Sequence, residues 1–156
     1  ASLAIEALYL LDNLNYIKFD YETIKSAIAK SNWQGRFEIV RQDPLVIVDG
    51  AHNIDGVKAL ITSINDIKMP KALLFSAIKT KEYEEMLKML DSNVDKLVLT
   101  TFNHPQVIDA KGLASKYGYT YVASFQEAYE TLYKELKTVL DYLKLNEKEI
   151  CGCIVG

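Results

Sequence analysis

Short, wholly apolar runs alternate along this chain with longer stretches whose apolar side chains recur at helical spacing. The run Pro44-Leu45-Val46-Ile47-Val48 predicts a buried strand, and Ile54 to Asp66 follows as a helix with Val57, Leu60, Ile61 and Ile64 on one face. The same alternation predicts a strand Ala72 to Ala77 and a helix Glu82 to Leu90 with Tyr83, Met86, Leu87 and Leu90 inward. A strand Lys96 to Thr101, a loop Phe102 to Ile108, a helix Ala110 to Tyr117 and a short strand Thr120 to Ala123 come next. Ser124 is placed to cap a long helix with Ala128, Leu132, Leu136, Val139 and Leu143 on its apolar face, and Ile150 to Val155 is the last strand. Ahead of this regular part lie a helix Ser2 to Leu14, ended by Asn13-Leu14-Asn15, and a helix Tyr21 to Lys30 with Asp20 as its cap. A loop through Asn32 to Arg36, a short strand Phe37 to Arg41 and a turn Gln42-Asp43-Pro44 connect the two parts.

Strands separated by helices of this length imply βαβ units. The expected fold is therefore α/β: a doubly wound, mostly parallel sheet of about six strands with helices on both faces. No internal repeat or low-complexity segment interrupts it. Asn13 to Asp20 is the candidate boundary, dividing the chain into residues 1–14 and 15–156.

At 156 residues, nearly half of them apolar, the chain is long enough for one real core. A net charge of −3 and a pI near 5.4 argue against a nucleic-acid surface, which needs a basic stripe. No apolar stretch reaches the roughly 18 residues of a membrane span. Cys151 and Cys153, two apart, face one side of a strand and read as buried thiols of a cytoplasmic protein rather than a disulfide or a metal site. The chain starts inside a helical pattern and stops on a strand, so it reads as a piece of a longer polypeptide without a signal peptide.

Candidate chemistry concentrates where the buried strand ends, at Asp49-Gly50-Ala51-His52-Asn53. Ligands of open α/β sheets sit at the carboxyl ends of strands. Gly50 can take a positive φ and turn the chain sharply. Asn53 can cap the next helix, whose N-terminus suits an anion. His52, one of two histidines, could donate to a phosphate or a carboxylate. Asp49 could accept from a ribose hydroxyl or hold a cation's water. Arg36, one of only two arginines, carries a planar fork suited to phosphate. Neither G-x-x-x-x-G-K-[ST] nor G-x-G-x-x-G occurs, so the chain cannot cradle a triphosphate unaided. A phosphoacceptor receiver domain is excluded because Phe37 to Arg41 lacks the acidic pair that its first strand needs.

Trp33-x-Gly35-Arg36-x-Glu38 followed by Asp49-Gly50-Ala51-His52-Asn53 resembles the C-terminal domain of folylpolyglutamate synthases and their dihydrofolate synthase relatives, in the Mur ligase superfamily. The resemblance covers nearly the whole chain. Ala1 to Leu11 looks like the helix after the family's nucleotide-contact motif in the central domain, so residues 1–14 would be the tail of that ATPase domain. Phe75-Ser76-Ala77 with Lys79-Thr80-Lys81-Glu82 resembles the family's Asp-Lys-Asp segment, with Thr80 in place of its first Asp. Ile154-Val155-Gly156 looks like the start of its Gly-Ser-Leu-Tyr segment. Gln34 and Gln106 stand where the family often has Pro and Arg, and Ile54 where it often has Pro.

The resemblance implies an ATP-dependent ligase that extends folate with glutamate through an acyl phosphate. The partners would be ATP, L-glutamate, the folate substrate and an N-terminal ATPase domain that holds ATP and magnesium; no metal ligand is expected in this chain, and this part alone would be inactive. Arg36 would be catalytic, reaching the phosphates across the cleft. Asp49 would bind the ribose. His52 would lie near the phosphates or the glutamate, with a catalytic or binding role, and Lys81 would contact the glutamate or a phosphate. The alternatives are a cell-wall Mur ligase acting on a UDP-muramyl peptide, and a non-catalytic nucleotide-binding module.

Overall fold

The computed structural model describes residues 2–31, 33–143 and 151–155, and these separate into two compact units, 1–33 and 34–156. The expected positions of Asn32, Ile150, Gly156 and the side chain of Leu143 lie outside the described residues. The first unit holds α1 (Ser2–Asn13) and α2 (Tyr21–Lys30). The Asp12 carboxylate accepts from the Phe19 N–H at 2.8 Å, and the Tyr9 and Phe19 rings lie 4.4 Å apart. These contacts tie the 13–20 connection to α1, so the candidate boundary falls inside the first unit. Asp20 caps α2 as expected, accepting from Thr23 N–H.

The second unit carries a six-stranded sheet built from β1 (Glu38–Gln42), β2 (Leu45–Asp49), β3 (Lys71–Phe75), β4 (Lys96–Thr100), β5 (Thr120–Val122) and β6 (Cys151–Val155). Its order is β1-β2-β6-β3-β4-β5. Every pair is parallel except β1 with β2, which a tight turn at Asp43-Pro44 joins antiparallel at the edge. The parallel strands are wrapped on both faces, which is why they are unbroken apolar runs rather than alternating ones.

Alternate residues of each strand feed two cores. On one face Ile47, Leu73, Phe75, Leu99, Cys153 and Val155 pack with helices α3 (Ile54–Asn65), α4 (Tyr83–Asp91) and α5 (Ala110–Tyr117). On the other, Ala72, Leu74 and Val98 pack beneath Ala128, Leu132 and Leu136 of α6 (Phe125–Leu143). Each large side chain buried this way contributes about 1.5–3 kcal/mol. The expected α/β sheet with helices on both faces is the architecture observed.

Cys151 and Cys153 are free and fully buried on the central strand β6, with sulfurs 3.8 Å apart. The contact with Cys151 and burial both push the Cys153 thiol up. Neither cysteine should react with a thiol reagent at pH 8 while the chain is folded, and both should react in guanidinium. A thiol that reacts at once in the native chain would contradict this placement.

Candidate functional site

Three segments converge on the carboxyl ends of β2, β6, β3 and β4: the loop before β1, the β2–α3 turn and the segment after β3. The loop before β1 is held in an unusual shape. Gly35 has φ +69° and Phe37 has φ +45°, a region that a bulky side chain enters only at a cost of about 1–3 kcal/mol. Side chains on both flanks hold it there. Glu38 accepts from Gly35 N–H at 2.7 Å, and one Asp49 carboxylate oxygen accepts from Phe37 N–H at 2.7 Å. The other Asp49 oxygen accepts from Ala51 N–H at 2.8 Å. Asp49 therefore clasps the loop and the turn together. Sequence reading did not find this bridging part, although Glu38 stands in the motif quoted above.

Gly50 corrects an expectation. Its φ is not positive; the chain turns through an ordinary conformation. Glycine is needed for close approach instead. Gly50 N–H donates to Gly35 O at 2.6 Å, and a Cβ on Gly50 would sit 3.2 Å from that carbonyl. The loop and the turn touch backbone to backbone.

This clasp sets the candidate side chains. Arg36 is exposed and donates from Nη1 to Gly50 O at 3.2 Å, which anchors the guanidinium beside the turn. A guanidinium has five N–H donors, and this bond uses one of them. Gly50 O also receives His52 Nδ1 at 2.8 Å. A carbonyl only accepts, so Nδ1 carries a proton, and in the neutral ring Nε2 keeps its lone pair for a ligand. Asn53 caps α3, its amide oxygen accepting from Gly56 N–H at 2.8 Å. Arg36, Asp49 and His52 thus share one corner through the carbonyl and amide of a single turn.

Two cavities open at this edge. The larger, about 410 Å³, is lined by Gly35, Asp49 and Gly50 on one side and by Thr100, Phe102 and Phe125 on the other. The smaller, about 170 Å³, brings His52 and Lys81 together with Ala77, Ile78 and Phe102. Lys81 reaches it because the segment after β3 pairs with the loop after β4: Lys79 N–H donates to Gln106 O at 2.7 Å and Ile108 N–H to Ala77 O at 3.0 Å. His104 stays outside both cavities, exposed, accepting from Gln106 N–H within its own turn. No cluster of three or more His, Cys, Asp or Glu suited to a metal forms among the described residues. No described helix is long and apolar enough to cross a membrane.

Residues 35–141, which contain this corner and both pairing loops, match the family described as Mur ligase, glutamate ligase domain. The chain belongs to that family. This glutamate ligase domain is 33% identical over 115 residues to the dihydrofolate synthase/folylpolyglutamate synthase of Bacillus subtilis, covering 72% of this chain and 27% of that protein. Its fold matches Mycobacterium tuberculosis folylpolyglutamate synthase complexed with ADP with a TM-score of 0.80 at 21% identity, over 96% of this chain and 35% of that one. A bifunctional folylpolyglutamate synthase/dihydrofolate synthase with Mn, AMPPNP and L-glutamate bound matches with a TM-score of 0.73 at 18% identity, over 92% and 34%. The chain spans roughly a quarter to a third of the length of these relatives.

Proposed function

We propose that this domain is the C-terminal part of a cytoplasmic ATP-dependent ligase that adds glutamate to a folate through an acyl phosphate. The observation that carries the reading is the shared turn: Arg36, Asp49 and His52 all bond the Gly50–Ala51 peptide in a domain of the glutamate ligase family. The likeness of Ala1 to Leu11 to the helix after the family's nucleotide-contact motif supports α1 as the tail of a preceding ATPase domain, which would bring ATP and magnesium.

In this reading the γ-phosphoryl of ATP passes to the substrate carboxylate, and the amine of glutamate then attacks the acyl carbon and expels phosphate. Arg36 supplies positive charge to the moving phosphoryl group, the task of an arginine finger. Each Asp49 oxygen retains a lone pair beyond its backbone bond, so the carboxylate can clasp the loop and accept from a ribose hydroxyl at once. The His52 Nε2 lone pair faces the ammonium of the incoming amino acid, and Lys81 in the same cavity faces its carboxylate.

The test is full-length protein assayed for ADP release with tetrahydrofolate and glutamate, and separately with a UDP-muramyl peptide and its amino acid. Release with the folate pair supports the reading. Release with the muramyl pair alone would move the domain to the cell-wall branch of the family. Residues 1–156 by themselves should release no ADP, because nothing in them cradles a triphosphate; robust turnover by this chain alone would contradict the division of labour.

A further inference from the structure

Among the described residues, two polar side chains, Ser76 and Thr100, are buried, and they differ in one respect. Thr100, at the end of β4, is 3% exposed and donates its hydroxyl to Val122 O at 2.8 Å. Ser76, just past the end of β3, is 5% exposed, and its hydroxyl has no hydrogen-bond partner among the described residues. A buried hydroxyl left unpaired is destabilising and asks for an explanation. Its backbone is not loose: Ser76 N–H donates to Val155 O at 3.1 Å, which fixes the residue against β6.

Ser76 also occupies a particular place. It lines both the larger cavity beside Asp49 and the smaller one holding His52 and Lys81, and only Phe102 shares that position. The smaller cavity is of amino-acid rather than nucleotide size. Its wall is almost wholly apolar, and the residues on it that carry polar groups are Lys81, His52, whose Nδ1 is committed to Gly50 O, and Ser76 with its unpaired hydroxyl. Lysine only donates, so it pairs with a carboxylate; a hydroxyl donates once and completes the same carboxylate's coordination.

We propose that Ser76 is a substrate-binding residue, donating its hydroxyl to the carboxylate adjacent to the reacting amine of the incoming amino acid, opposite Lys81. This rests on the ligase reading above and adds a selectivity element to it. Placed at the junction of the two cavities, the hydroxyl fixes the end of the amino acid that lies next to the acyl phosphate. An amine without that carboxylate loses the contact.

The experiment compares full-length wild type with Ser76→Ala and Lys81→Ala, using L-glutamate and γ-aminobutyrate, which lacks the carboxylate beside the amine. Ser76→Ala should raise KM for L-glutamate about 10-fold, the scale of one hydrogen bond to a charged group. KM for ATP should stay within about twofold, and the preference for L-glutamate over γ-aminobutyrate in kcat/KM should fall about 10-fold. The melting temperature should not drop, since removing an unpaired buried hydroxyl loses no hydrogen bond within the fold. An unchanged KM for glutamate in Ser76→Ala, with a raised one in Lys81→Ala, would overturn the role of Ser76 and leave the amino-acid cavity standing. Unchanged values in both variants would overturn the cavity assignment as well. Wild-type protein that releases no ADP in response to glutamate would overturn the ligase reading itself.

Discussion

Arg36→Ala in the full-length ligase should lower turnover about 10²-fold or more, the usual scale for losing a donor to transition-state charge. That corresponds to about 2.7 kcal/mol of barrier. The effect should fall on kcat more than on the KM for ATP, because in the proposed mechanism the guanidinium serves charge that develops as the phosphoryl group moves. The fold should tolerate the change. Arg36 is exposed, and its bond to Gly50 O is one that water can replace. Arg36→Lys keeps the charge but loses the planar fork, and should recover only part of the rate. A variant with alanine here and an unchanged rate would remove Arg36 from the mechanism.

Asp49→Ala should act on stability and activity together. The carboxylate accepts from Phe37 N–H and Ala51 N–H, and its loss leaves both donors without their partner. Each such loss costs about 1–3 kcal/mol. Relaxation of Phe37 out of its left-handed conformation returns part of that, leaving a net cost on the order of 2–4 kcal/mol. Thermal unfolding followed by circular dichroism should show a midpoint lowered by roughly 10 °C. Asp49→Asn retains one acceptor oxygen and should fall between the two. Because the same carboxylate shapes the Arg36 loop, activity should fall even at temperatures where the variant is fully folded. A wild-type melting curve for Asp49→Ala would show that the clasp is not what holds the loop.

The two predictions differ because the sequence displays Arg36 and Asp49 alike but the fold uses them differently. Strand positions were legible because buried parallel strands such as Leu45–Asp49 and Lys71–Phe75 are apolar at every position but one end residue. Helices were legible from one-sided periodicity and from caps such as Asn53 and Asp20. The antiparallel placement of β1 was not, since its exposed Ile39 and Val40 carry no inward alternation that would name a partner. The convergence of Arg36, Asp49 and His52 was anticipated only as a list of side chains. Their shared use of the Gly50–Ala51 peptide depends on tertiary geometry that no local pattern encodes. Gly50 itself was assigned a turn-conformation role, whereas the fold needs its lack of a Cβ against Gly35 O. Ser76 left a faint signal, a hydroxyl closing the apolar run Ala72-Leu73-Leu74-Phe75, but only burial reveals that it is unpaired.

The proposed function rests on a carboxylate being activated as an acyl phosphate. Full-length protein supplied with a folate whose terminal carboxylate carries ¹⁸O tests that step directly. The account predicts that the inorganic phosphate released with each new amide bond contains one ¹⁸O from the substrate. Amide formation with unlabelled phosphate would contradict it.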